Sequence, residues 1–321
     1  LLTKYIINLI TVAIFFSANI REARGQEFSL LGGVVKNADV HDSSYTWQLE
    51  YRESIGDHFA ASFSYLNEGH VPNHHRDGHA IQLWSKTDFF DHKLSLAAGV
   101  GPYYHFDTTN SGSDSYTNEH GLGSLLTVSA TWYSYNDWLF QIRTNWAGVG
   151  SSFDTVSTMA GIGYRLDASR YSSPVRSSTL NASGEITLYL GQSIVNSFNS
   201  ESSIASGLEY RRPLVKYIDW SVGWLYEGNN HLFRRNGITT ELWVVKDFFA
   251  DMLSLSTGGG IYLTLDHYSG KVSHKPLCGI LTMSGSYKIH GPWGVRTSWN
   301  RILTHYDRDA DVILGGIIYR F

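Results

Sequence analysis

The chain of 321 residues holds one cysteine, Cys278, only 6 prolines, and few charges, 17% of the sequence. A lone cysteine excludes an internal disulfide framework. The longest apolar run, residues 5–16, falls short of the roughly 20 residues that a spanning helix needs. A mean hydropathy of −0.19 likewise excludes a bundle of membrane helices. A net charge of −4 offers nothing to draw in a nucleic acid. The chain has no Gly-rich phosphate loop and no nucleophile elbow, and beyond residue 26 no 3.6-residue hydrophobic period persists. Aromatic residues are abundant instead, at 14% with 10 Trp and 20 Tyr, together with 31 Gly. That profile suits many strands.

A period of two recurs throughout. In "SYTWQLEYR", Tyr45, Trp47, Leu49 and Tyr51 share one face, while Thr46, Gln48, Glu50 and Arg52 share the other. In "WLFQIRTNW", Trp138, Phe140, Ile142 and Trp146 oppose Gln141, Arg143 and Asn145. A soluble sandwich also alternates. It does not need so continuous an aromatic side, nor Glu and Arg in the middle of the opposite one. An apolar outside over a polar inside is what a closed barrel in lipid requires, because lipid satisfies neither backbone groups nor open sheet edges.

The pattern occurs twice. "YLNEGHVPNHHRDGHAIQLWSKTDFF" starting at Tyr65 matches "WLYEGNNHLFRRNGITTELWVVKDFF" starting at Trp224, without a gap. Glu68/Glu227, Gly69/Gly228, Arg76/Arg235, Gly78/Gly237 and Trp84/Trp243 are identical, and "LEYR" recurs at Leu49 and Leu208. This is an internal duplication of a strand-rich unit. Eight alternating segments fall within residues 26–166 and eight more within 184–321. Polar connections near 36–43, 67–77, 107–120 and 148–154 read as long loops, and those at 53–57, 87–92 and 134–137 as tight turns. The chain ends in an aromatic-rich strand, "GGIIYRF", closing at Phe321. With the long-loop and short-turn asymmetry, this resembles the bacterial outer-membrane β-barrels as an architecture, over the whole chain past residue 25. The expected fold is all-β, an antiparallel transmembrane barrel made of two eight-stranded units. Residues 167–183, Ser-rich and without alternation, read as a linker and favour two tandem barrels over one sixteen-stranded ring. "LLTKYIINLITVAIFFSANIREARG" reads as a signal peptide over residues 1–25.

Inward charges are the candidate site. Glu50, Arg52, Glu68 and Arg143 in the first copy, and Glu209, Arg211, Glu227 and Arg296 in the second, are expected to form a lumen charge network. A narrow barrel is just wide enough for side chains, so a buried charge must find its partner locally. Arg76, Arg234 and Arg235 fall in outer loops on this reading and would contact lipopolysaccharide phosphates, which guanidinium groups bind bidentately. Glu68, His70, His74, His75, Asp77 and His79 carry metal-ligand residue types. The second copy replaces His70, His74 and His75 with Asn229, Phe233 and Arg234, which argues for an ordinary loop and no metal. Lipid A deacylases of the outer membrane pair a His and a Ser two residues apart with a nearby Glu. His41/Ser43 and His267/Ser269 have that spacing, yet they are not equivalent in the two copies and lack that family's surrounding motif.

The resemblance implies an outer-membrane protein, exported through its signal peptide, with outer-membrane lipid, lipopolysaccharide and the assembly machinery as partners. Its role would be structural, binding or channel-forming, without catalysis or a cofactor. A hydrolase acting on lipid A or another lipid is one alternative, and a porin-like diffusion channel, should sixteen strands close as one ring, is another. Arg placed at Leu49 or Leu208, near mid-strand on the apolar face, should destabilise the protein in a bilayer by about 2–4 kcal/mol. Unfolding titrations in vesicles measure this, and equal tolerance of Arg at Glu50 and Leu49 would argue for a soluble sheet.

Overall fold

A computed structural model describes residues 25–37, 42–71, 73–112, 115–150, 153–166, 184–230, 234–265 and 276–321. The segments expected to be a signal peptide and a linker, and the His41/Ser43 and His267/Ser269 pairs, lie outside these residues, apart from Gly25 and Ser43. Eight strands form the first ring: β1 (Gln26–Asn37), β2 (Ser43–Ile55), β3 (Phe59–Val71), β4 (His74–Phe89), β5 (Leu94–Gly112), β6 (Ser115–Tyr133), β7 (Trp138–Gly148) and β8 (Thr155–Arg165). The second ring has β9 (Glu185–Val195), β10 (Ser202–Val215), β11 (Ile218–Asn229), β12 (Arg234–Phe248), β13 (Leu253–Thr264), β14 (Leu277–His290), β15 (Trp293–Leu303) and β16 (Ala310–Arg320). All are antiparallel to their neighbours.

Each ring closes on itself. β1 pairs with β8 from Glu27 opposite Arg165 to Asn37 opposite Thr155. β9 pairs with β16 from Glu185 opposite Arg320 to Val195 opposite Ala310. A sixteen-stranded, porin-like closure is therefore not the architecture. Closure leaves no strand edge unpaired, which is how a barrel escapes edge-to-edge association.

Alternation decides which side chains go in. Along β7, Trp138, Phe140, Ile142 and Trp146 are exposed on the outside, whereas Leu139, Gln141, Arg143 and Asn145 are buried inside. The outer wall stays apolar around both rings, with Leu83 at 58% and Ile142 at 64% exposure in the first and Leu188 at 65% and Ile204 at 72% in the second. Soluble monomers rarely present so extended an apolar surface. Aromatic pairs border it at the turn end: Trp138 meets Tyr164 with ring centres 5.3 Å apart, and Trp293 meets Tyr319 at 5.0 Å.

Two of the connections differ from the sequence reading. The segment 67–77 is mostly strand, since β3 runs to Val71 and β4 starts at His74. The segment 107–120 is also strand, with β5 and β6 paired out to Gly112 opposite Ser115. Polar residues on both faces hide a strand from a periodicity test, and these ends of the sheet carry His, Asn, Asp and Thr on both faces. The turns after β4 and β12 repeat one unusual shape. Phe90, Asp91 and His92 all have φ between 52° and 63°, and Phe249, Ala250 and Asp251 between 53° and 65°.

Residues 26–166 alone should refold in detergent micelles as a closed ring, while 26–133, lacking β7 and β8, should aggregate through the bare edges of β1 and β6. Heat-modifiable mobility and far-UV circular dichroism distinguish the outcomes. Equal aggregation of both fragments would contradict self-closure.

Candidate functional site: the filled lumen of each barrel

Inward rows of side chains stack in layers from the turn end to the loop end. Along β4 these are Trp84, Gln82, Ala80, Gly78, Arg76 and His74. Near the turn end, Arg143 Nη2 donates to Glu50 Oε1 at 2.5 Å, and Arg52 Nη2 pairs with the same oxygen at 2.9 Å. The Arg52 guanidinium lies 3.9 Å from the centre of the Trp84 ring. The Trp84 indole N–H donates to Ser62 Oγ at 2.8 Å, which fixes its plane. The indole fits only because Gly99 faces it: a Cβ there would come within 2.5 Å of the ring.

The second barrel repeats this layer with altered pairing. Arg296 pairs with Glu209 at 3.0 Å and also with Glu185. Arg211 turns to Asp219 at 3.2 Å, a carboxylate outside the network expected from the sequence. It lies 4.0 Å from the centre of the Trp243 ring, whose N–H donates to Ser221 Oγ at 2.8 Å. The asymmetry has a chemical source. Asp219 stands where the first copy has Ala60, so Arg211 gains a carboxylate of its own.

Above these layers an apolar band crosses each lumen. Leu31, Leu66, Ala80, Tyr103, Leu125 and Met159 contribute in the first barrel, and Tyr189, Leu225, Tyr262, Ile280, Ile302 and Val312 in the second. A second charged layer closes the loop end. Arg76 Nε donates to Glu68 Oε2 at 2.6 Å and Nη2 to Oε1 at 3.1 Å, a bidentate pair. The Tyr103 hydroxyl donates to Glu68 at 2.9 Å and Thr155 Oγ1 donates to it as well. Arg235 grips Glu227 with two bonds of 2.5 Å. Gly69 and Gly228, at φ of 67° and 94°, form the bulges that follow these carboxylates. A Cβ would meet the Tyr45 carbonyl at 2.2 Å or the Ile204 carbonyl at 2.6 Å, so only glycine fits.

The remaining N–H groups of both arginines hold down the last loop of each ring. Arg76 Nη1 donates to the Phe153 carbonyl at 2.6 Å, and Arg235 Nη1 to the Arg308 carbonyl at 3.0 Å. Each loop is pinned in the same way: Asp154 accepts from the Val149 N–H at 3.1 Å, and Asp309 from the Thr304 N–H at 2.7 Å. The guanidinium is thus shared between a carboxylate on the neighbouring strand and a carbonyl across the mouth.

The structure moves two of the predicted rim arginines. Arg76 and Arg235 are 1% and 0% exposed inside the lumens, already saturated by carboxylate and carbonyl, so lipid phosphates do not reach them. Arg234 is exposed at the start of β12. The His-rich stretch divides between two faces. Glu68 and His74 point inward, where His74 Nδ1 lies 3.0 Å from Asp107 Oδ1. His75, Asp77 and His79 point outward with His70, and Tyr65 donates to Asp77 at 2.5 Å. Among the described residues no group of three His, Cys, Asp or Glu is gathered as metal ligands. Sequence reasoning missed Trp84, Trp243, Asp154, Asp309, Asp219 and Glu185. The two tryptophans were visible as identical residues next to outward Leu83 and Leu242, a parity that points them inward.

No protein-family model and no curated sequence matches the chain. In architecture the chain is similar to outer-membrane β-barrel proteins of known structure. The N-terminal β-barrel domain of Pseudomonas aeruginosa OprF is 12% identical, with a TM-score of 0.36 over 44% of this chain and 98% of that one. Ail, the attachment invasion locus protein of Yersinia pestis, is 12% identical with a TM-score of 0.35 over 44% of this chain and 99% of that one. The NanC porin is 10% identical with a TM-score of 0.23, over 92% of this chain and 100% of that one.

Arg76→Met leaves Glu68 buried without its cation and should destabilise the first barrel by about 3–5 kcal/mol. Adding Glu68→Gln removes the orphaned charge and should recover most of that loss. Urea unfolding in micelles, followed by tryptophan fluorescence, measures both; equal losses in the single and double variants would contradict a paired clamp.

Proposed function

We propose that the chain is an integral outer-membrane protein of two filled β-barrels, with a structural or binding role and no catalysis of its own. The observation that carries this reading is the pairing of an apolar outer wall with a lumen crossed by ion pairs and a band of packed side chains. The wall matches what hydrocarbon demands of a barrel exterior. The lumen matches an eight-stranded barrel whose interior is consumed by its own side chains. In the first barrel, Glu50, Arg143, Leu66, Tyr103 and Arg76 occupy successive levels of the same bore.

In this reading the N-terminal segment directs export and the outer-membrane assembly machinery inserts the barrels. Tight turns face the periplasm, and the long hairpin of β5 and β6 stands outside. Binding then falls to the outer loops and walls. Exposed Arg234, at the loop end of the second barrel, is the cation left for lipopolysaccharide phosphates, with His70 and His75 at the corresponding end of the first. Diffusion of solutes is not the role proposed, because the bore is occupied.

Purified protein in planar lipid bilayers should give no stable openings of porin size. Persistent unitary currents, retained in the presence of an intact Glu68–Arg76 clamp, would overturn the filled-lumen reading.

A further inference from the structure

We infer that the turn end of the second barrel is a docking site for an anionic phospholipid headgroup, and that the equivalent end of the first barrel is not. The inference rests on the membrane reading above. β10 ends in exposed Arg212, Leu214 and Val215, the last two 47% and 59% exposed. The connection to β11 is Lys216 and Tyr217. The Tyr217 carbonyl accepts from the Val245 N–H at 2.9 Å, which ties the turn to β12. The Tyr217 ring then gathers two ammonium groups, Lys216 Nζ at 4.9 Å and Lys246 Nζ at 5.5 Å from its centre. Three cations and an aromatic ring thus border a strip of exposed aliphatic surface. That chemistry fits a phosphate-bearing headgroup above its own acyl chains: the cations take the phosphate, and Leu214 and Val215 take the hydrocarbon.

The duplication supplies an internal control. Aligned on the repeated "LEYR", Arg212, Lys216, Tyr217 and Lys246 replace Glu53, Asp57, His58 and Thr87. The backbone tie is the same, with the Lys86 N–H donating to the His58 carbonyl at 2.8 Å. Over residues 212–217 and 245–252 the second copy has three cations (Arg212, Lys216, Lys246) and two carboxylates (Asp247, Asp251), a net of +1. Over 53–58 and 86–93 the first has two cations (Lys86, Lys93) and four carboxylates (Glu53, Asp57, Asp88, Asp91), a net of −2. The corresponding turn region therefore presents opposite charge in the two copies, and the reversal falls at Arg212 and at Lys216 and Lys246, the two whose ammonium groups flank the Tyr217 ring. The turns themselves differ, with three residues between Ile55 and its partner Phe59 in the first copy and two between Val215 and its partner Ile218 in the second, while the backbone tie to the next hairpin is kept.

The test compares lipid occupancy by native mass spectrometry, with phosphatidylglycerol and phosphatidylcholine supplied in equal amounts to the full chain in detergent. Wild-type protein should retain one phosphatidylglycerol in preference to phosphatidylcholine. Each cation removed among Arg212→Gln, Lys216→Gln and Lys246→Gln should lower that preference about fivefold. Glu53→Gln with Asp57→Asn, in the first barrel, should leave the retained lipid in place. Lys216→Gln alone serves where the variant that combines all three substitutions does not fold. Equal occupancy by the two lipids in wild type, or a preference unchanged in Lys216→Gln, overturns the site. Flotation with phosphatidylcholine vesicles keeps the two readings apart. A protein that fails to float refutes membrane integration itself, whereas one that floats without headgroup preference refutes only the docking site.

Discussion

Everything in this molecule follows from the demand that each backbone N–H and C=O find a partner within the sheet. An open edge would leave a row of N–H and C=O groups unpaired, and the sheet removes it by returning to its first strand. Once β1 meets β8, and β9 meets β16, the number of strands sets the bore. Eight strands leave room for side chains and little else. The interior must then be built from groups that satisfy one another, and this is why carboxylates and guanidiniums recur in matched layers.

These layers show how a duplicated sequence drifts without losing its fold. The Glu68–Arg76 and Glu227–Arg235 pairs keep partner, geometry and glycine bulge, because each links a neighbouring strand to the closing loop. The layer near the turn end has changed its wiring. Glu50 serves two arginines in the first barrel, whereas Glu209 shares Arg296 with Glu185 and leaves Arg211 to Asp219. Both solutions keep every inward guanidinium beside a carboxylate. An inward arginine tolerates exchange of its partner provided some anion stays within reach in the low-dielectric bore.

Much of the architecture was legible because the middle part of each strand has two chemically opposite faces. "WLFQIRTNW" and "SYTWQLEYR" declare their faces within a few residues. Legibility stopped where both faces are polar. At 67–77 and 107–120 composition suggests loop, while the ladder continues through His74 opposite Thr109 and Thr108 opposite Asn118. The misplacement of Arg76 and Arg235 followed directly, for a residue assigned to a loop has no facing. Counting back by twos from inward Trp84 and Trp243 lands on Arg76 and Arg235 and puts each on its true, inward side. Asp154 and Asp309 were beyond reach, since a single carboxylate accepting from a backbone N–H leaves no periodic trace.

The arginine clamp also joins contacts of very different reach along the chain. Its bond to glutamate spans eight residues within one hairpin, Glu68 to Arg76, and is available as soon as β3 and β4 meet. Its bond to the carbonyl of Phe153 waits for a segment 77 residues further along the chain. The same side chain holds its own hairpin and the last loop of the ring, so local and long-range order converge on one residue. Each half of the chain carries its own such arginine, and each ring can register its own completion.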